Sequence, residues 1–176
     1  LTKRKVDCMA EIAGKSILIT GGGSGLGEAM ARYFVARGAR VTISGRREDR
    51  IRAVALDIGC AAVTGDVTVA ADRAAMIAAA LAHGGKLDVL INNAGNMYRG
   101  PLTELDEGQL LGIFHSNVVG AMLLAGLAVP HLAETHGSIL FFGSSHTRRA
   151  FPGASPYAAT KAAVQTLTQV LAAELG

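Results

Sequence analysis

Short apolar runs rich in β-branched residues alternate along the chain with longer stretches whose apolar positions recur at helical spacing. The first run, Ser16-Ile17-Leu18-Ile19-Thr20, stops at Gly21-Gly22-Gly23 and predicts a buried strand. Over 25–37 the residues Leu26, Ala29, Met30, Tyr33 and Phe34 share one helical face, and Gly38 suits the position just past the helix end. Val41-Thr42-Ile43-Ser44 predicts a second strand, 49–56 a second helix and 60–64 a third strand. A helix over 70–83, closed by Gly84-Gly85, leads to a fourth strand at Val89-Leu90-Ile91. The pattern then predicts one long helix over 106–134, with Pro130 as a kink or late-turn feature, and a fifth strand over 138–142. Ser155 can cap and Pro156 suits the first position of a last helix that reaches Leu175.

Strict strand–helix alternation with short connections predicts an α/β fold. It is a doubly wound parallel sheet covered by helices on both faces, three layers in all. No linker, repeat or low-complexity segment interrupts it. Half of the 176 residues are hydrophobic, Trp is absent and aromatics are few, which suits helices packed closely on a sheet.

The formal charge is +3, and its one basic run, Lys3-Arg4-Lys5, is short and terminal. Without basic–aromatic interleaving it reads as a solvated tail, so no nucleic-acid partner is expected. Cys8 and Cys60 lie outside any C-x-x-C, and the five histidines show no metal-ligand spacing. We therefore expect no metal site, no disulfide framework and a reducing compartment. No signal peptide and no uninterrupted apolar run of about 18 residues is present, so a soluble, cytoplasmic protein that does not engage a membrane is expected.

Between the first strand and helix stands Thr20-Gly21-Gly22-Gly23-Ser24-Gly25-Leu26-Gly27. Glycines there allow a tight turn and the close approach of a pyrophosphate, whose charge then meets free N–H groups at a helix N-terminus. The candidate contacts are Gly21, Ser24, Gly25, Leu26 and Gly27. The second strand runs into Gly45-Arg46-Arg47, where an NAD-preferring site usually places an acidic side chain. A guanidinium there can bind a 2′-phosphate by charge-assisted hydrogen bonds, which predicts NADP(H) with NAD(H) as the alternative. Arg46 is the better candidate. Surface charge opening a helix with Glu48 and Asp49 is the competing account.

At the other end of the chain lies Tyr157-Ala158-Ala159-Thr160-Lys161, with Ser144 thirteen residues before the tyrosine. Tyr and Lys four apart share a helix face, about 5–6 Å between Cβ atoms. An ammonium held there favours the phenolate, which suits the phenol for proton transfer at a carbinol or carbonyl oxygen.

These motifs resemble the short-chain dehydrogenase/reductase family, in its common form of about 250 residues built on one Rossmann-fold domain. The resemblance covers nearly the whole chain. It includes Thr20 to Gly27, Gly65-Asp66-Val67, Asn92-Asn93-Ala94-Gly95, Asn117, Ser144, and Tyr157 with Lys161. It implies that residues 1–176 form a single dinucleotide-binding domain with 1–14 as an N-terminal arm. Asp66 would bond the adenine amino group while Val67 packs at the ring. Asn93, Ala94 and Gly95 would line the adenine ribose and support the central strand. Tyr157 would be the general acid/base, and Ser144, rather than the neighbouring Ser145, would orient the substrate oxygen. Lys161 would hold the nicotinamide ribose and tune Tyr157, and Asn117 would anchor a water linking the lysine to solvent.

The loop with His146, Arg148, Arg149 and Phe151-Pro152-Gly153 is expected to border the substrate cleft, as are Met97 and Tyr98. Arg148 and Arg149 read as solvent-facing, with selection of an anionic substrate as the alternative. The resemblance also implies a homodimer or homotetramer. Its long helices would offer Leu110, Leu111, Phe114, Met122, Leu167 and Leu171, residues that ordinary core packing would equally explain.

Relatives of this form continue beyond the Tyr/Lys helix with further strands and a substrate-covering segment, whereas this chain ends at Gly176 and begins at Leu1. The C-terminal strands are therefore expected to be missing, with the ordered part of a longer protein preferred over a genuine fragment. The expected function is hydride transfer between NADP(H) and an alcohol or ketone. A catalytically silent dinucleotide-binding or oligomerisation module is the alternative. A methyltransferase shares the α/β order but gives no reason for the Tyr–Lys pair.

Overall fold

Five parallel strands form one sheet in the order β3-β2-β1-β4-β5 in the computed structural model, which describes residues 12–176. They are β1 (Ser16–Thr20), β2 (Arg40–Gly45), β3 (Ala61–Thr64), β4 (Val89–Asn92) and β5 (Ser138–Phe141). The connecting helices are α1 (Gly25–Val35), α2 (Glu48–Ile58), α3 (Ala70–Gly84), α4 (Glu107–Phe114) and α5 (Gly120–Thr135), and α6 (Ser155–Leu175) follows β5. The Lys3 to Lys5 tail, Cys8 and residues 1–11 of the expected arm lie outside the described residues.

Central position explains why β1 is buried throughout. It pairs with β2 on one side, Ile17 opposite Val41, and with β4 on the other, Ile17 opposite Val89, and all five of its residues are buried. Alternation sends its side chains to two separate cores. Leu18 joins Leu90, Met76 and Leu124 beneath α3 and α5. Ile17 and Ile19 join Ile43, Ile51 and Ile91 beneath α1 and α2. The doubly wound α/β sheet expected from the hydrophobic pattern is therefore the observed fold.

One element departs from expectation. The single helix predicted over 106–134 contains a π turn, His115–Val119, between α4 and α5. This wider turn brings the consecutive residues Ser116 and Asn117 both into the interior. Gly120, just past it, lies so close to Val67 that an added Cβ would stand 2.7 Å from the Val67 carbonyl oxygen. The helix then runs through Pro130 to Thr135. Taken together, Glu107–Thr135 is long and apolar enough to cross a membrane, its most apolar 18 residues having a mean hydropathy of 1.8. Leu124, Ala128 and Leu132 turn one face of it to the core, while Val119, Met122, Leu123 and Leu127 are exposed.

At the end of the sheet where β1, β4 and β5 begin, buried Asp88 gathers the strand starts. Its carboxylate accepts the Ser16 N–H at 2.8 Å and lies 3.3 Å from Lys15 Nζ and 3.1 Å from Lys86 Nζ. Its backbone also bonds Ser16 and Ser138, each at 2.9 Å. Desolvation pushes the Asp88 carboxyl up, but the Ser16 N–H and the two ammonium groups outweigh it and hold it below its ordinary value. A depressed carboxyl contributes stability above its unfolded pKa of about 3.9 and loses it as pH falls through the folded value. Asp88→Asn is therefore predicted to cost about 1–3 kcal/mol of unfolding free energy at pH 7. The gap between variant and parent should narrow in acid, as urea melts at pH 7 and near pH 3 will read. A gap of the same size at both would refute the charge-based account.

Candidate functional site

Strands β1 and β4 are neighbours, yet the chain leaves them toward opposite edges of the sheet. A crevice opens between their C-terminal ends, the place where open α/β sheets bind ligands. The glycine turn lies across it. Gly21 adopts φ +68°, and a Cβ there would stand 2.9 Å from Asn93 Nδ2. A Cβ on buried Gly27 would collide with the Gly21 carbonyl oxygen. Ser24 precedes α1 without a side-chain cap bond, which leaves that helix N-terminus free of a side-chain cap.

Buried Thr20 reads in the sequence as the end of the first strand and the first residue of the glycine motif, with no role of its own. Its hydroxyl oxygen accepts the N–H groups of Asn93 at 3.1 Å and Ala94 at 3.0 Å. The Asn93 amide in turn donates to the carbonyls of Thr20 at 2.9 Å and Gly21 at 3.2 Å. Asn93 thus ties the glycine turn to the end of β4, through bonds that the tertiary pairing of β1 and β4 makes available.

The resulting cleft has a volume of about 560 Å³. Of the expected cofactor residues, Gly21, Ser24 and Arg46 line it on one side. Asp66 and Val67 line it after β3, and Asn93, Ala94 and Gly95 after β4. Gly25, Leu26 and Gly27 begin α1 without lining it. Arg47 and Arg50 line it as well, so three guanidinium groups border one cleft. Arg47 donates to Ser24 Oγ at 3.3 Å, and Arg46 Nη1 stands 3.8 Å from Asp66 Oδ2. Both arginines are exposed, so their pairing is worth little by itself. Arg50 was missed by sequence, although helical spacing from Arg46 and Arg47 was a usable signal. Asp66 Oδ1 is occupied by the Thr68 N–H and hydroxyl, each at 2.9 Å, which fixes the carboxylate in its turn.

The second group of residues sits on α6 and the segments packed against it. Lys161 Nζ lies 5.7 Å from the Tyr157 ring centroid and donates to the Phe142 carbonyl at 2.8 Å, just past β5. Burial lowers the Lys161 pKa from its ordinary value. Between the pair, fully buried Thr160 donates to the Tyr157 carbonyl at 2.7 Å and accepts from Asn117 Nδ2 at 3.1 Å. Asn117 also donates to the Asn96 carbonyl at 2.8 Å and accepts the Asn96 N–H at 2.7 Å. Asn117 therefore meets α6 through Thr160, by direct protein bonds. Gly95 makes room for it, since a Cβ there would be 2.9 Å from Asn117 Oδ1.

Ser144 opens a 3₁₀ turn and accepts the His146 N–H at 3.2 Å, while Ser145 is exposed. The structure brings His146 onto both Ser144 and Tyr157, a convergence that sequence placed only as far as the bordering loop. That loop and the Met97–Tyr98 segment are joined by a backbone bond, Gly100 N–H to the Gly153 carbonyl at 2.9 Å. Arg148 and Arg149 are exposed, as the solvent-facing reading expects. Burial pushes the Cys60 thiol up to about 11, which makes it a poor nucleophile. Among the described residues no group of three or more His, Cys, Asp or Glu is placed to hold a metal ion.

The chain is similar to known proteins over nearly all of its described length. A family model described as short chain dehydrogenase matches residues 15–176. An 11-beta-hydroxysteroid dehydrogenase-like 4A protein of Arabidopsis thaliana is 36% identical over 172 residues, covering 94% of this chain and 58% of that protein. An L-fucose dehydrogenase of Bos taurus is 35% identical over 164 residues, covering 91% of this chain and 60% of its own length. The chain thus spans somewhat under two thirds of these curated relatives. Among solved structures, a 3-ketoacyl-(acyl-carrier-protein) reductase from Brucella melitensis complexed with NADH superposes with a TM-score of 0.90 at 37% identity, covering 93% of this chain and 71% of that one.

The lowered Lys161 pKa has a consequence for stability. The unfolded chain holds the lysine proton more readily than the folded one, so below the folded pKa the buried charge subtracts from stability. That penalty fades as pH rises toward the unfolded value of about 10.4. Lys161→Met is predicted to raise the unfolding midpoint at pH 7, with an advantage that shrinks near pH 10. Thermal melts at the two pH values decide this, and a lowered midpoint at pH 7 would contradict it.

Proposed function

The chain belongs to the short-chain dehydrogenase family, and from that membership we propose that the protein transfers hydride between a nicotinamide dinucleotide and an alcohol or carbonyl substrate, with NADP(H) preferred over NAD(H). The observation that supports this most directly is one of placement. The glycine turn after β1 and the Tyr157–Lys161 pair beside the end of β5 stand at the same end of one parallel sheet.

A dinucleotide fits the first half of that site. Gly21 and Gly27 let the turn fold tightly against Asn93 and its own backbone, and α1 has no side-chain cap. In this reading Gly21, Ser24 and the N-terminus of α1 hold the pyrophosphate, Asp66 and Val67 the adenine, and Asn93 to Gly95 the ribose. The Brucella reductase was solved with NADH, so a nicotinamide dinucleotide is the group the family relation implies. Preference for the 2′-phosphate is supported by Arg46, Arg47 and Arg50 bordering the cleft where β2 ends.

When bound, the nicotinamide ring supplies or accepts the hydride. The chain's own residues handle the oxygen and its proton. Ser144 orients the substrate oxygen by hydrogen bonding. Tyr157 gives that oxygen a proton during reduction and takes one during oxidation. The Lys161 ammonium stabilises the negative charge left on Tyr157 as its proton departs, and the Phe142 carbonyl keeps Nζ in place. Asn117 and Thr160 fix the turn of α6 that presents Tyr157.

We read the described residues as one dinucleotide-binding domain that pairs with further copies. Exposed Leu111, Met122, Leu123 and Leu127 along α4 and α5 support a homo-oligomer. Of the other residues expected there, Leu110, Phe114, Leu167 and Leu171 are half-buried, which suits core packing equally.

Two measurements test the proposal. NADPH oxidation by the full-length protein is expected with at least one member of a panel of ketones, aldehydes and acyl thioesters. Tight NADPH binding with no turnover on any of them would favour the catalytically silent module instead. Separately, Arg46→Asp is expected to lower the NADPH-to-NADH preference by about tenfold or more, the effect of losing one charge-assisted phosphate contact and adding a repelling carboxylate. An unchanged preference would overturn the NADP assignment while leaving the hydride-transfer reading intact.

A further inference from the structure

The 3₁₀ turn Ser145–Thr147 folds His146 back onto Ser144. His146 Nδ1 lies 3.0 Å from Ser144 Oγ, the oxygen that also accepts the His146 backbone N–H at 3.2 Å. Two rings hold the imidazole. Phe151 stacks on it with centroids 4.2 Å apart and planes at 30°, and Tyr157 meets it edge-on at 5.1 Å and 87°. Its other nitrogen, Nε2, is buried and has no hydrogen-bond partner.

A serine hydroxyl has one proton to donate and two lone pairs to accept with. With a bare Nδ1, the Ser144 proton would be drawn to the ring, and the hydroxyl would present only a lone pair to a substrate carbonyl. With the ring proton on Nδ1, that N–H and the backbone N–H fill both lone pairs of Oγ. The hydroxyl proton is then free for the substrate oxygen. The burial of Nε2 chooses between the two. A proton there would be a buried donor with no acceptor, a rarer arrangement than an acceptor left unfilled.

We propose that His146 is a positioning residue: it carries its proton on Nδ1, and so keeps Ser144 a hydrogen-bond donor toward the substrate oxygen while its ring braces Tyr157. This rests on the roles proposed above for Ser144 and Tyr157. The histidine acts through Ser144 and does not touch the reacting atoms itself.

The tautomer is tested without turnover, by ¹⁵N NMR of the whole protein labelled at histidine, with the His146 signals assigned by their loss in His146→Phe. A proton on Nδ1 is expected, and a proton on Nε2 overturns the proposal. The coupling is tested by kinetics with NADPH and a carbonyl compound that the panel shows to be turned over. His146→Phe keeps an aromatic ring against Phe151 and Tyr157 but lacks Nδ1. It should lower kcat about tenfold, the effect of one misdirected hydrogen bond, with the NADPH dissociation constant unchanged. His146→Asn, which restores an amide donor near the Nδ1 position, should recover most of the loss. In a Ser144→Ala background the His146→Phe change should alter kcat by less than about twofold. An equal loss in both backgrounds would show that His146 does not act through Ser144. If Ser144→Ala alone left kcat unchanged, the site assignment would be the part that fails, and the tautomer measurement separates that outcome from this one.

Discussion

Where β1 and β4 end, the Asn93 amide donates to the Thr20 and Gly21 carbonyls, and the Thr20 hydroxyl accepts the N–H groups of Asn93 and Ala94. These bonds continue the pairing of the two strands past the last ladder position, at the point where the chain turns toward opposite edges. Each is worth only about 1 kcal/mol net, yet leaving any of the buried groups unpaired would cost more. The bonds press the glycine turn onto the β4 end closely enough that neither Gly21 nor Gly27 has room for a side chain. The depth of the cleft follows from that contact. So does the direction in which α1 presents its N-terminus.

A second tie brings the rest of the site to the same end of the sheet. The π turn between α4 and α5 places Asn117 inside, where its amide bonds the Asn96 backbone and the Thr160 hydroxyl. Thr160 in turn bonds the Tyr157 carbonyl, so one side chain registers α6 against the segment that leaves β4. Gly95 is required in this packing because Asn117 occupies the space over it. The two ends of the sheet treat charge in opposite ways. At the strand starts, Asp88 is surrounded by donors that favour its ionised form and the folded state. At the strand ends, Lys161 is desolvated and its charge works against folding. Lys161 is thus a half-buried ammonium maintained at a cost in stability.

Legibility followed how local each determinant was. The start of α6 could be read from Pro156 because the fixed proline dihedral acts within one turn, although Ser155 is already the first helical residue and makes no cap bond, Ala154 standing at the cap position. The two-sided burial of β1 was visible as an unbroken apolar run. The glycine spacing and the Tyr157–Lys161 interval were readable for the same reason, since a tight turn and a shared helix face are short-range demands. The π turn was not readable. It is fitted to a contact between Asn117 and Asn96, and nothing in the helical periodicity marks it. Thr20 was invisible for a similar reason: its role depends on the strand beside it, more than seventy residues away in sequence.

Sequence by itself determined the order of strands and helices, the doubly wound architecture and the glycine turn, and it marked the residues on which the proposed phosphate and proton-transfer roles rest. Backbone dihedral preference and hydrophobic periodicity encode these within a few residues of each position. Only the tertiary structure decided that Arg50 joins Arg46 and Arg47 on one cleft, that Asn117 reaches α6 through Thr160, and that His146 lies against Ser144 with one nitrogen buried and unpaired. Those relations depend on side-chain directions and distances between segments far apart in the chain, which are set when the two cores pack and not before.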